Sequence, residues 1–311
     1  MSIKYFENTS TQQEPMLHNH SIREVSPENF SIIENPDKTL AYFNDIIRVI
    51  KKPKRDTSVF IDIENITNLT IDSVMYLLAI IFNLKRNPLR KNYYAGNYPK
   101  NKEVRDIFED SGFNNYITNH NKIKIEKKGD TVEIKSGKDI NRVVAKEICD
   151  FVNRAFGTDL KYTKFLYNMI IELMTNTIQH AYNDNNILVN YWYIYVKNDV
   201  DAIKFIFLDT GSGIPQTITK KFYENILIKQ EYEYILSALR GEFRSNTKMA
   251  YRGKGLPKIY QLYLEKAISK LAIISGKGYC LIDNNTIDMK QTLKGTLFYW
   301  ELKKSNIGKG S

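Results

Sequence analysis

Residues 165–182 (FLYNMIIELMTNTIQHAY) constrain this chain most, because their periodicity admits an amphipathic helix and little else. Phe165, Leu166, Met169, Ile170, Leu173, Met174 and Ile178 recur on one helical face, which anchors the segment to a core. Glu172, Asn176 and His180 stand at i, i+4 and i+8, so they line one flank and can converge on a single ligand. Taken alone, that flank reads equally as the wet side of a surface helix, and the residues that follow decide between the two.

Two strand-like runs come next, 188–196 (LVNYWYIYV) and 202–208 (AIKFIFL), and the second leads into Asp209-Thr-Gly211-Ser-Gly213-Ile214. A carboxylate ending a buried strand can accept a hydrogen bond from an exocyclic amine, and two glycines let backbone lie flat against a ring or phosphate. An isolated D-x-G-x-G is more commonly a plain turn with a capping Asp. Further on, Arg252-Gly253-Lys254-Gly255-Leu256 precedes the apolar helical run 256–264, with Pro257 suited to its first turn. Free backbone N–H groups at such a helix start, with Arg252 and Lys254 beside them, suit a polyphosphate. Residues 272–275 (AIIS) and 295–300 (GTLFYW) read as strands that complete a sheet.

The first half alternates differently. Residues 1–35 are polar and irregular, an arm or edge element. Residues 37–51 carry Leu40, Phe43, Ile46, Ile47 and Ile50 on a helical stripe, 58–63 (SVFIDI) reads as a buried strand, and 71–84 as an apolar helix opened by Asp72 and Ser73 as caps. A short strand at 92–95 closed by Gly96 and a helix at 102–109 ending at Ser111-Gly112 repeat the unit, which argues a small α/β layer. Residues 121–136 alternate like a polar hairpin around Lys128-Gly129-Asp130, and the domain boundary falls there.

With 311 residues, 42% apolar and 26% charged, the chain suits two globular domains and excludes a disordered or collagen-like one. Cys149 and Cys280 lie far apart with no C-x-x-C spacing, which gives no disulfide framework or zinc knuckle and fits a reducing cytoplasm. The start lacks the apolar core of a signal peptide and no run approaches a membrane span, so the expectation is a cytoplasmic protein without membrane association. The formal charge of +10 would welcome phosphate-bearing ligands; its Lys and Arg are spread along the chain, a solvated surface more than a nucleic-acid face.

A helix E-x-x-x-N-x-x-x-H-A, a strand-end D-x-G-x-G-I, G-x-G-L before a helix and a strand G-T-x-F occur here in one order. In this the second half resembles the GHKL superfamily of gyrase, heat-shock chaperone, histidine kinase and mismatch-repair ATPases. The resemblance implies a Bergerat-type α/β sandwich over residues 137–303, a mixed sheet with helices on one face, binding ATP with Mg2+. It implies that Asn176 holds Mg2+, that Asp209 reads the adenine amine, and that Glu172 orients or deprotonates the attacking nucleophile. Gly211 and Gly213, followed by Ile214, would pass beneath the base. Gly253 and Gly255, with Arg252, Lys254 and Leu256, would wrap the phosphates, and Thr296 would support Asp209 or a bridging water. His180 is as often structural. Residues 215–251 occupy the place of the superfamily's mobile lid, with Arg240, Arg244, Lys248 and Arg252 available to the phosphates.

Residues 36–130 resemble a STAS domain through IDIENITNLTIDSVMYLLAIIFNLKR and YYAGNYPKNKEVRDIFEDSGFNNYI. The family's phosphoacceptor position falls on Val74 here and its glycine is missing, which leaves Ser73 as a helix cap rather than a phosphosite. Of the activities this pairing implies, ATP hydrolysis driving a lid or dimer switch that controls a partner docked on the STAS-like half comes first. An anti-sigma-factor-like serine/threonine kinase is the alternative, and a nucleic-acid-linked ATPase rests on charge alone. A homodimer is compatible with each. A sensor histidine kinase is disfavoured because His120 sits in a loop-like stretch rather than on a helical hairpin, and residues 304–311 leave only a tail where gyrase-like proteins continue.

Overall fold

In the first half of the chain, β1 (Tyr5–Glu7), β2 (Ile22–Val25), β3 (Asn29–Phe30), α1 (Pro36–Lys51), β4 (Val59–Asp62), β5 (Asn68–Leu69), α2 (Ile71–Arg86), β6 (Tyr94–Asn97), α3 (Lys102–Asp110) and α4 (Asn114–Ile117) follow one another. The structure is a computed structural model that describes residues 5–7, 22–51, 59–86, 94–117, 129–157, 163–179, 188, 190–221, 230–242 and 255–306. It divides into two units, residues 1–128 with 187–189, and residues 129–186 with 190–311.

In the first unit the sheet order is β1-β6-β4-β2, with β2, β4 and β6 parallel and β1 antiparallel at the edge. Every residue of β4 is buried, as a parallel strand covered on both faces requires. Gly96, expected to close a strand, lies inside β6. Both sheet edges and β3 come from residues 5–30, a stretch with no strong apolar pattern. Helix α1 buries Leu40, Phe43, Ile46 and Ile47, and residues 74–81 of α2 are buried all round, so α2 runs through the core rather than over it. The carboxyl ends of the parallel strands are joined by Asp62, whose carboxylate accepts from Arg23 Nε at 2.9 Å, Asn97 Nδ2 at 2.8 Å and the Glu64 amide at 3.2 Å. Burial pushes its pKa up, yet these hydrogen bonds from Asn97, Arg23 and Glu64 leave it below the ordinary value.

The start of α2 corrects one expectation. Asp72 and Ser73 are not caps: the helix already begins at Ile71, and both side chains are buried. Asp72 Oδ2 instead accepts from the amides of Ile32 at 2.8 Å and Ile33 at 2.9 Å, tying the turn after β3 to α2, while Ser73 Oγ has no hydrogen-bond partner. Replacing Asp72 with alanine orphans the buried Ile32 amide and the part-buried Ile33 amide and is expected to cost about 3 kcal/mol, whereas Asp72→Asn keeps an acceptor and stays within about 1 kcal/mol of wild type. Urea denaturation midpoints of the two variants check this; equal midpoints would remove the tie.

The second unit contains β7 (Thr131–Gly137), α5 (Arg142–Phe156), α6 (Thr163–Gln179), β8 (Trp192–Asn198), β9 (Ala202–Asp209), α7 (Ile214–Lys221), α8 (Glu231–Arg240), α9 (Gly255–Leu264), β10 (Ser269–Leu281) and β11 (Asn285–Lys303). Its five-stranded sheet runs β10-β11-β9-β8-β7 and is antiparallel throughout the described residues, where the sequence reading expects a mixed sheet. Taken whole, the protein is α/β with parallel and antiparallel pairing, the parallel pairs lying in the first unit. Strand β7 pairs with β8 instead of forming a local hairpin, and residues 121–128 of that expected hairpin lie outside the described residues.

Alternation along the strands sends Trp192, Ile194 and Val196 of β8, Ile203, Phe205 and Phe207 of β9, and Phe298 and Trp300 of β11 into one core with α5, α6, α8 and α9. Phe205 and Trp300 stack across the ladder with centroids 5.0 Å apart. At the β7 end, Gly137 faces Trp192, whose indole leaves no room for a side chain there. Helix α5, not read from sequence, buries Val144, Ala145, Ile148, Cys149 and Val152; Asn141 caps its start and Gly157, at φ 62°, ends it. Cys149 and Cys280 are both free and buried, and burial pushes their thiols up to about 11 and about 12. Among the described residues no helix is long and apolar enough to cross a membrane.

Candidate functional site

At one end of the second sheet, Ser275 of β10, Thr296 of β11 and Asp209 of β9 are successive cross-strand neighbours. Asp209 follows Phe207 by two residues and therefore faces the helical layer, as do its two neighbours. The row is hydrogen-bonded end to end. Thr296 hydrogen-bonds to the Asp209 carboxyl, Thr296 Oγ1 lies 3.0 Å from Ser275 Oγ, and Ser275 Oγ lies 3.1 Å from the Gly295 carbonyl. The D-x-G-x-G turn folds back onto the same row: Asp209 Oδ1 accepts from the Gly211 amide at 2.9 Å, and Ser275 Oγ accepts from the Ile214 amide at 2.8 Å.

Gly213 has to be glycine here, since its φ is 82° and a Cβ would stand 2.9 Å from Ser275 Oγ and 3.1 Å from the Gly295 oxygen. Thr210 donates its amide to the Tyr191 carbonyl at 3.0 Å and accepts the Tyr191 amide on its hydroxyl at 3.0 Å, so the turn leaves β9 on a fixed course. Burial pushes the Asp209 carboxyl up to about 6, against the pull of the Gly211 amide and the Thr296 hydroxyl.

A second pairing joins two helices. Gly255 is the first residue of α9, and a Cβ on it would overlap the carboxylate and Cγ of Glu172 on α6. Only a glycine lets the start of α9 lie this close to that carboxylate. Glu172 is half-buried, and burial raises its pKa while Lys258, further along α9, draws it down. Asn176 lies one turn beyond Glu172 on the same helix, also half-buried. A carboxylate with a raised pKa beside a glycine-led helix start is suited to taking a proton from an attacking hydroxyl.

Of the residues singled out in the sequence, Asp209, Gly211, Gly213, Ile214 and Thr296 belong to the first group, Glu172 and Gly255 to the second, and Leu256 packs partly buried against the shared core. His180, Arg244, Lys248, Arg252, Gly253 and Lys254 lie outside the described residues. Arg240 ends α8, with its guanidinium 3.8 Å from Glu242. Of residues 215–251, read as the place of a lid, α8 packs on the core of the unit. Helix α8 buries Ile235 and Leu239 in the core, Asp288 accepts the amides of Glu231 and Tyr232 at 2.9 Å each, and Glu231 accepts the Lys277 amide at 2.6 Å. Residues 230–242 are thus a docked wall of the unit.

Sequence reading overlooked Ser275; the signal was a hydroxyl closing the apolar run AIIS just before Gly276, at a strand position that ought to be apolar. Among the described residues no group of three or more His, Cys, Asp or Glu side chains could hold a metal. The oxygen donors on offer are the Glu172 carboxylate and the Asn176 amide, a set that suits a hard cation retaining its waters and phosphate ligands rather than one caged by protein. Compared with known proteins, the chain matches no family model and no curated sequence.

Proposed function

We propose that the second unit is a Mg2+-dependent ATP-binding domain of the GHKL type with a Bergerat-like layout, in which ATP hydrolysis drives a switch that controls a partner protein. The observation that carries this reading is the seating of Gly255 on Glu172, which sets a helix start suited to phosphate against a half-buried carboxylate. The hydrogen-bonded row at Asp209 supports it from the other end of a nucleotide, since a carboxylate there accepts a hydrogen bond from an exocyclic amine. In this reading Asn176 offers its amide oxygen to Mg2+, Gly211 and Gly213 underlie the base, and Glu172 removes the proton from the attacking water. ATP bound with Mg2+ supplies the electrophilic phosphorus; the residues around it orient it and accept the proton.

Hydrolysis is preferred to self-phosphorylation because Ser73 and Val74, at the helix start where a STAS domain takes phosphate, are both fully buried. The first unit then serves as the docking part, for a protein partner or a second copy.

Asp209→Asn tests the nucleotide site. ATP affinity, measured by titration calorimetry, is expected to fall about 10- to 100-fold with loss of the charged acceptor. Stability is expected to move the other way. A carboxyl raised to about 6 contributes stability that is complete below its ordinary pKa and lost as pH rises through about 6, so the asparagine variant should melt higher than wild type at pH 8 and alike at pH 4. Unchanged ATP affinity would sink the assignment.

A further inference from the structure

We infer that Lys258 is the residue through which this site tells a nucleoside triphosphate from a diphosphate, its ammonium meeting the terminal phosphate beside Glu172. The inference rests on the nucleotide reading above and adds a binding residue and a selectivity to it.

Glu172 marks the place of the terminal phosphate, because the water it deprotonates attacks that phosphorus. The close approach of Gly255 to Glu172 then fixes how α9 stands to that place. Lys258 follows Gly255 by three residues, so it lies one turn along α9, about 4.5 Å further on the axis and on a neighbouring flank. Ile259 beside it turns into the core, and Lys258 itself is exposed at the rim. Its charge reaches Glu172, whose carboxyl is raised by burial and drawn back by Lys258. None of the ion pairs among the described residues takes up Lys258.

The chemistry of the site calls for a cation at this point. A terminal phosphate carries much of the negative charge of a triphosphate, and a carboxylate beside it repels it. Part of that repulsion is offset by Mg2+ at Asn176 on α6, and part by the Lys258 ammonium on the facing helix. Lysine presents a compact charge with three donors on a flexible stem, which can follow a phosphate as it moves. A diphosphate ends one group short of this ammonium and gains little from it.

Wild type, Lys258→Met and Lys258→Arg are to be titrated by calorimetry with Mg-ADP and with the Mg complex of the β,γ-imido analogue of ATP, with melting temperatures recorded beside them. Wild type is expected to bind the triphosphate analogue at least about tenfold more tightly than ADP. Lys258→Met is expected to bind the analogue about tenfold more weakly and ADP within about twofold of wild type, so that the preference collapses, and Lys258→Arg to keep most of it. A merely structural role would weaken both nucleotides alike and leave their ratio unchanged, which overturns the inference. Analogue affinity unchanged in Lys258→Met overturns it too. Wild type binding both nucleotides equally overturns the inference and spares the nucleotide site; wild type binding neither overturns the site itself.

Discussion

A Gly295→Ala chain is expected to lose at least about 4 kcal/mol of stability, enough to leave the second unit largely unfolded at 25 °C. Gly295 sits at φ 119°, a conformation that a side chain disfavours, and the added Cβ would overlap the Asp209 carbonyl oxygen and stand 3.0 Å from Thr210 Cα. Neither neighbour can swing aside, because Asp209 is held in the β9 to β11 ladder by its pairing with Thr296 and the Thr210 amide is bonded to the Tyr191 carbonyl. Gly129→Ala is the control: nothing lies within 4 Å of a Cβ there, and the change should stay within about 0.5 kcal/mol. Near-UV circular dichroism and urea midpoints measure both. A wild-type midpoint for Gly295→Ala would mean that β11 and β9 pair in another register, and the row built on that register would go with it.

Glu172→Gln is expected to lower ATP turnover by about 1000-fold while ATP affinity stays within a few-fold of wild type. Glutamine keeps the shape that packs under Gly255 and removes only the basic oxygen. Since burial raises the pKa of Glu172, wild-type turnover should climb with pH on the acid side, as the carboxylate is uncovered, and the glutamine variant should lack that limb. Phosphate release and γ-label on protein are followed together. Glu172-dependent release without label fits the hydrolytic switch, whereas label on an added protein moves the chain to the phosphotransferases. Turnover unaffected by the change would remove Glu172 from the chemistry.

Much of this was legible in the residues, unevenly. Helix α6 announced itself because its apolar stripe is long and regular, and Asp209 because a charged residue closes a run of buried ones. Helix α5 was equally regular and went unread, although Asn141 and Gly157 mark both its ends. Strands β10 and β11 were read as six residues or fewer and are far longer, since Gly276 and Gly278 break the apolar run of β10 and the first half of β11 is mostly polar, while the two pair with each other across that stretch. The pairing of Gly255 with Glu172 and the reach of Ser275 to Ile214 are contacts between distant segments, and no local pattern encodes them. For Asp72 the residue type suggested a cap, but the side chain turned inward to amides supplied by another part of the chain.

Both cysteines lie buried with thiols pushed far above neutral pH, and so neither is nucleophilic towards maleimides under ordinary conditions. Val200, at 83% exposure in the turn between β8 and β9, offers a place for a third. A cysteine introduced there would take a fluorophore alone, with no native residue to remove first, at the end of the β8–β9 ladder away from Asp209.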